Sequence, residues 1–211
     1  MMRALTACSV FVVTLFQAAE PTGAAAIMES LLFGFELAPA TRTAGLSTDA
    51  QRSLAKYRER ERLFKPTIKR PNNLDGPEGS VYFKRAGLER ALFCLFDRSD
   101  SLQLAEEYST QIRLLYEWEG FADSPLTEAA SADAFLAQHR NSPIAPYARL
   151  FAGHRKLCAV SGLEGLDPKS DRALGIASDA DMQLGLARDA GHPLIRIVAD
   201  YLLKTRRCFE R

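Results

Sequence analysis

The sequence has few of the residues that usually build a reactive site. It contains four cysteines, three histidines and one tryptophan in 211 residues. The histidines, His139, His154 and His192, show no helical i, i+4 pairing, and neither an HExxH nor a CxxC motif is present. We therefore expect no metal site and no cofactor.

The chain also lacks an excess of either charge and lacks alternating strand patterns. Lys and Arg number 27 against 26 Asp and Glu, and the formal net charge is +1. This balance excludes a globally basic nucleic-acid binder, although it leaves local patches open. No window alternates apolar and polar residues with period two, so the sequence predicts an all-α fold without a sheet.

The N-terminal apolar run is too short for a membrane span. It covers residues 4–19, about 16 residues, whereas crossing a bilayer takes roughly 20. Arg3 precedes the run, and small residues from Ala24 to Ala26 follow it, as in a secretory signal. We predict that residues 1–26 are a signal peptide, that the mature chain begins between Ala25 and Met28 without a transmembrane segment, and that the protein is periplasmic or secreted.

Capping residues and prolines mark the starts of seven predicted helices. The helices are predicted at residues 49–64, 80–96, 102–118, 125–138, 143–160, 168–190 and 193–209. Short connections between them favour stacked antiparallel helical hairpins. We expect an N-terminal segment, residues 27–79, with one charged helix and a Pro/Asn/Gly-rich loop, followed by a helical-hairpin domain, residues 80–211.

A shift of 50 residues aligns four positions and suggests an internal repeat. The aligned pairs are Pro143 with Pro193, Ile144 with Leu194, Phe151 with Tyr201, and Cys158 with Cys208. The alternative is coincidence between two amphipathic helices that both begin at a proline.

One stretch, residues 132–153, carries a family resemblance. It contains Ala132, Phe135, Leu136, Asn141-Ser142-Pro143, Ala145, Tyr147-Ala148 and Gly153. This stretch resembles one tetratricopeptide unit of the kind found in periplasmic cell-envelope proteins. Arg140 stands where those proteins usually carry proline, and the units here exceed the usual length of about 34 residues. The resemblance implies a stack of helical hairpins and a scaffolding or adaptor role, and it carries over no catalytic residue.

Three cysteines remain after removal of the signal peptide: Cys94, Cys158 and Cys208. Each lies in an apolar helical context, where cysteine behaves as a small buried hydrophobe. If the repeat is real, Cys158 and Cys208 are equivalent positions on helices whose axes lie about 8–10 Å apart. A disulfide needs Cα atoms within about 7 Å. We therefore predict three free thiols.

Two groups of residues suggest enzymatic chemistry. Cys158 follows His154 by four residues on one helix face, but the pair lacks an orienting third group and an oxyanion turn. Glu117 and Glu119 flank Trp118, yet residues two apart on a helix point in different directions. We favour structural roles for both groups.

A basic segment precedes the hairpin domain and is the candidate partner-binding surface. Its seven basic residues, against two acidic ones, are Lys56, Arg58, Arg60, Arg62, Lys65, Lys69 and Arg70. The segment could contact anionic lipid, wall polymer or an acidic partner. The alternative is a solvated helix with pairs such as Glu61 and Lys65 at i, i+4.

These features favour a non-enzymatic, exported helical scaffold or adaptor that binds a protein or peptide partner in the cell envelope. Two alternatives remain open. One is a small periplasmic hydrolase that uses Cys158 or a carboxylate. The other is a periplasmic immunity or inhibitor protein that blocks another protein's site.

Overall fold

The computed structural model describes residues 23–37 and 43–209, and these form an all-helical structure. The helices are α1 (Gly23–Phe33), α2 (Thr48–Glu61), α3 (Pro77–Leu95), α4 (Ser101–Gln111), α5 (Asp123–Gln138), α6 (Ala145–Ala159), α7 (Asp171–Asp189) and α8 (Pro193–Thr205). Within the described ranges there is no strand, only an isolated bridge between Phe121 and Glu164. The prediction of an all-α fold is confirmed.

Helix starts follow the local signals closely. The Ser47 hydroxyl accepts a hydrogen bond from the Ala50 amide and caps α2, and α8 begins at Pro193 as predicted. In α7 the cap is Ser170, whose hydroxyl accepts from the Ala173 amide. The predicted start at residue 168 is therefore three residues early, because the hydroxyl at 170 satisfies a free amide in the first turn of the helix.

The predicted helix 102–118 is too long at its C-terminal end. Helix α4 stops at Gln111, and Ile112 is extended. Beyond it, the Arg113 amide donates to the Ser131 hydroxyl and the Leu115 amide donates to the Glu128 carboxylate. Side chains of α5 thus replace the carbonyl partners that a continued helix would have supplied.

The predictions for the last helix and for the cysteines are also wrong. Helix α8 ends at Thr205, and Arg206 takes a left-handed conformation with φ 56° that turns the chain back. Cys208 then forms a disulfide with Cys158, with their Cα atoms 4.8 Å apart. Only Cys94 is a free cysteine among the described residues. Cys158 and Cys208 therefore do not occupy equivalent, separated places, and the 50-residue repeat loses its basis.

Helix α1 was not predicted at all, although it contributes to the core. Its residues Ile27, Met28 and Leu31 are buried, and the helix packs against α3 and α8. After it, Gly34 has φ +73°, and a Cβ added there would lie 2.7 Å from the Cα of Gly87 in α3. Two glycines thus allow the end of α1 to touch α3 backbone to backbone.

From α2 onward, helices that follow one another are in contact, and α6 lies at the centre between α5 and α7. The N-terminal helices α1 and α2 each contact both α3 and α8, so they join the beginning and the end of the stack. One hydrophobic cluster contains residues from both sides of the 79/80 boundary, including Leu54 and Leu150. Of the described helices, none combines the length and apolar character needed to cross a bilayer.

The signal-peptide prediction concerns mainly residues 1–22, which lie outside the described residues. Residues 23–26 form the first turn of α1. The predicted mature N-terminus, between Ala25 and Met28, therefore falls within this helix and remains a prediction.

Candidate functional site

The main concave feature is a cleft where the end of α1, helix α3, the loop after α4 and the C-terminal segment meet. Its inner part, the inner pocket, has a volume of about 320 Å³. Its outer part, the outer groove, has a volume of about 1080 Å³. The two parts share Phe33, Gly34, Lys84 and Tyr116, so they form one continuous cleft.

Several aromatic rings line both parts of this cleft, hereafter the aromatic cleft. In the inner pocket, the Phe209 ring stacks on Phe33 with centroids 5.2 Å apart and lies 5.7 Å from Trp118. In the outer groove, Phe35 and Phe83 are 61% and 55% exposed. Large apolar side chains in a soluble protein are rarely left so exposed around a concave surface without a binding role.

A buried ion pair forms the floor of the inner pocket. The Arg155 Nε donates to Glu128 at 2.7 Å, and both side chains are almost completely inaccessible. Another guanidinium nitrogen donates to the Leu32 carbonyl at 2.8 Å. The guanidinium also lies over the rings of Phe33 and Trp118, 5.2 Å from each centroid. The network ties α1, α5, α6 and the loop after α4 together below the aromatic rings.

His154 extends this network to the disulfide. Its Nε2 lies 3.0 Å from the Cys208 carbonyl and its Nδ1 lies 2.8 Å from an Arg155 nitrogen. Burial, with the nearby Arg155 charge, lowers the pKa of His154 to about 3. The ring is therefore neutral, with Nε2–H donating to the carbonyl and Nδ1 accepting from arginine.

Lys84 lies where the inner pocket meets the outer groove. Its Nζ donates to the Leu115 carbonyl at 2.6 Å, which uses one of its three N–H groups. Burial lowers the pKa of Lys84, and the nearby Glu128 carboxylate opposes that shift. The pocket mouth therefore has a half-buried ammonium group with donors to spare.

Trp118 contributes a donor that has no partner among the described residues. Its Nε1 is buried and makes no hydrogen bond within the described structure. A buried N–H left unsatisfied in this way costs about 1–3 kcal/mol, so a bound acceptor would recover free energy.

The predicted basic segment is only partly available as a surface. Arg60 is engaged with α3, since its Nε donates to the Phe93 carbonyl at 2.8 Å and its Nη1 pairs with Asp97 at 2.9 Å. Arg58 is half-buried. The remaining members are exposed: Lys56, Arg62, Lys65, Lys69 and Arg70. Glu61, the suggested partner of Lys65, lies 3.3 Å from Arg90 of α3.

The proposed nucleophile is wrong for this structure. The Cys158 sulfur lies 3.5 Å from His154 Nε2 as expected from their spacing, but it is bonded to Cys208 and carries no thiol. The same group of His154, Cys158 and Cys208 has its candidate ligand atoms within 4.8 Å of one another. Because disulfide sulfurs are not thiolates, the group lacks the ligands that zinc binding requires.

The two acidic residues beside Trp118 lie in the loop after α4 rather than on a helix. Both Glu117 and Glu119 are exposed, and Glu119 has φ 49°. Trp118 itself turns toward the inner pocket. The sequence pattern thus drew attention to Trp118 but predicted that it anchors the end of a helix, whereas in the structure it forms part of the pocket wall.

Sequence reasoning missed the rest of the cleft. Phe33 and Phe35 flank Gly34 in the stretch LLFGFEL, and this aromatic–Gly–aromatic pattern was the one available signal. Phe209 was assigned to a helix. No family model, no curated protein and no solved structure matches this chain.

Proposed function

We propose that this protein is a non-enzymatic, exported helical adaptor that binds an apolar segment of a protein or peptide partner in the outer groove of its aromatic cleft. The observation that carries this proposal is the exposure of Phe35, Phe83 and Tyr116 around a groove of about 1080 Å³. Aromatic side chains dominate the energetics of protein interfaces, particularly where they surround a concave surface.

The lining of the outer groove suits a peptide backbone as well as apolar side chains. Charged and hydroxyl groups lie among its rings, including Glu61, Arg90, Asp75 and Ser80. Such groups can satisfy the amides and carbonyls of an extended segment, while the rings take up its side chains. The exposed members of the basic segment would add attraction for an acidic partner.

The disulfide supports the localisation in this proposal. Disulfides persist in oxidising compartments and are rare in reducing cytosol. A bond between Cys158 and Cys208 is therefore consistent with a periplasmic or secreted protein.

The test uses two side chains with matched exposure. Peptides are selected against the oxidised protein from a random 12-residue display library, and their affinities are measured for Phe83→Ala and Met182→Ala. Phe83 is 55% exposed in the groove, whereas Met182 is 54% exposed on α7 and does not line it. Loss of an aromatic anchor should weaken binding by about 1–3 kcal/mol, while Met182→Ala should leave it unchanged.

Equal affinities for Phe83→Ala and the unaltered protein would refute the groove as the binding surface. Failure to select any peptide would refute the adaptor role itself. A pull-down from envelope extract with the same two variants then tests natural partners, with retention by Phe83→Ala counting against the proposal.

A further inference from the structure

The inner pocket differs from the outer groove in its lining, and this difference favours a different kind of ligand. Its walls are largely apolar, with Leu31, Leu88, Leu114, Trp118 and Phe209 among them. Its volume of about 320 Å³ lies at the lower end of the range for ligand pockets, roughly 300–1000 Å³. Such a space fits a single short aliphatic chain rather than a large folded surface.

The charges around the inner pocket are not balanced in its interior. Arg155 and Glu128 neutralise each other in the floor. Lys84 at the mouth then leaves one positive charge. The carboxylate of Glu117 also lines the pocket and acts on Lys84, but it is exposed, so water weakens its attraction and leaves it free to turn away from a bound anion. A ligand with one negative charge is therefore the electrostatic complement of the mouth.

Two side chains of the pocket lining carry N–H donors that a ligand can use. Lys84 has N–H groups beyond the one that bonds to the Leu115 carbonyl, and the Trp118 Nε1–H has no partner. A carboxylate has two oxygens and accepts several hydrogen bonds without offering a donor. It would match this set better than an alcohol or an amine.

We propose that the inner pocket binds a medium-chain aliphatic carboxylate, with the hydrocarbon chain among the apolar walls and the carboxylate at Lys84. The binding is reversible and involves no covalent step. This site is distinct from the peptide contact proposed for the outer groove, although the two meet at Lys84 and Tyr116.

Trp118 is the single tryptophan of the chain and reports on the pocket directly. We would titrate the oxidised protein with submicellar octanoate, decanoate and dodecanoate and follow tryptophan fluorescence, with calorimetry as a second readout. Affinity should rise about fourfold for each added methylene until the pocket is full. Dodecanol and dodecyltrimethylammonium, which lack the negative charge, should bind at least tenfold more weakly than dodecanoate.

The matched variants are Lys84→Met and Lys169→Met. Lys169 is an exposed lysine outside the pocket lining, so its variant should bind dodecanoate normally. Lys84→Met should bind dodecanoate and dodecanol equally, because only the charge contact is removed. Lys84→Arg should retain the preference for the carboxylate. Circular dichroism would show that each variant folds. The comparison of ligands on the unaltered protein tests the proposal even if a variant does not fold.

Several results would overturn this inference. These are equal affinity of the unaltered protein for dodecanoate and dodecanol, no saturable signal with any chain length, or an equal loss in the Lys169→Met control. If the carboxylates fail while selected peptides still depend on Phe83, the adaptor proposal stands and only the pocket assignment falls. If peptides fail while dodecanoate binds, the reverse holds.

Discussion

Removal of the Cys158–Cys208 disulfide is the sharpest perturbation of this fold. The bond joins the end of α6 to the C-terminal segment, which carries Phe209 over the inner pocket. We consider the double variant Cys158→Ala/Cys208→Ala, which removes the cross-link without leaving a reactive thiol. The matched control is Cys94→Ala, because Cys94 is also buried but is not cross-linked.

The expected loss follows from the length of chain that the bond closes. The sequence separation is 50 residues. In the chain-entropy treatment, a loop of this size stabilises the folded state by about 4 kcal/mol. Removal of a buried sulfur atom alone should cost about 1 kcal/mol, the typical effect of a point substitution. The double variant should therefore lose much more than twice the loss of Cys94→Ala.

Urea unfolding followed by circular dichroism measures this difference. The cross-link and the two sulfur atoms together account for a loss of about 6 kcal/mol. With a slope of about 2–3 kcal/mol per molar urea, the midpoint should fall by roughly 2–3 M in the double variant. Alkylation of the denatured, non-reduced protein, produced without residues 1–26 and hence without Cys8, should label one thiol, at Cys94. Labelling of three thiols, or a loss in the double variant no larger than twice that of the control, would refute the argument.

Two further predictions concern a buried histidine and a backbone contact. Burial holds the pKa of His154 at about 3 against an ordinary value of 6.5, so the unfolded chain binds a proton that the folded chain excludes. The stabilisation from the neutral His154 ring is complete above about pH 6.5 and decreases towards pH 3 by up to about 1.4 kcal/mol per pH unit. Urea titrations at a series of pH values should therefore show that the unaltered protein loses unfolding free energy in acid more steeply than His154→Gln does. Parallel curves for the two proteins would contradict this. Gly87→Ala should lose about 1–3 kcal/mol or more, because the new Cβ collides with the Gly34 backbone. Gly185→Ala, with open space around it, should be neutral or stabilising by about 0.5–1 kcal/mol in the same urea titrations, and equal effects would contradict the close-contact argument.

The sequence by itself determined the fold class and where most helices begin. A helix start is a local event, because its free amides are satisfied by a side chain one to three residues away. Ser47 acts in this way at α2, whereas Pro193 favours the start of α8 because it has the φ of a first helical residue and no amide N–H to satisfy. Both starts were predicted correctly to within a residue or two.

The ends of helices and the candidate site were decided by the tertiary structure. Helix α4 stops where Ser131 and Glu128 of α5 accept hydrogen bonds from backbone amides just after the helix. These acceptors are distant in the chain, so no local sequence pattern predicts them. The left-handed turn at Arg206 similarly brings Cys208 onto Cys158, a contact that a continued helix would have prevented.

The aromatic cleft has the same origin. Phe33, Trp118 and Phe209 are far apart in the chain and lie next to one another only because α1, the loop after α4 and the C-terminal segment converge above Arg155. Hydrophobic periodicity reports which side of a helix is buried, whereas a pocket depends on which loops meet and how closely they approach. Capping and periodicity could therefore predict the helices, while the cleft required the packed structure, because its walls are set by contacts between residues that share no local pattern.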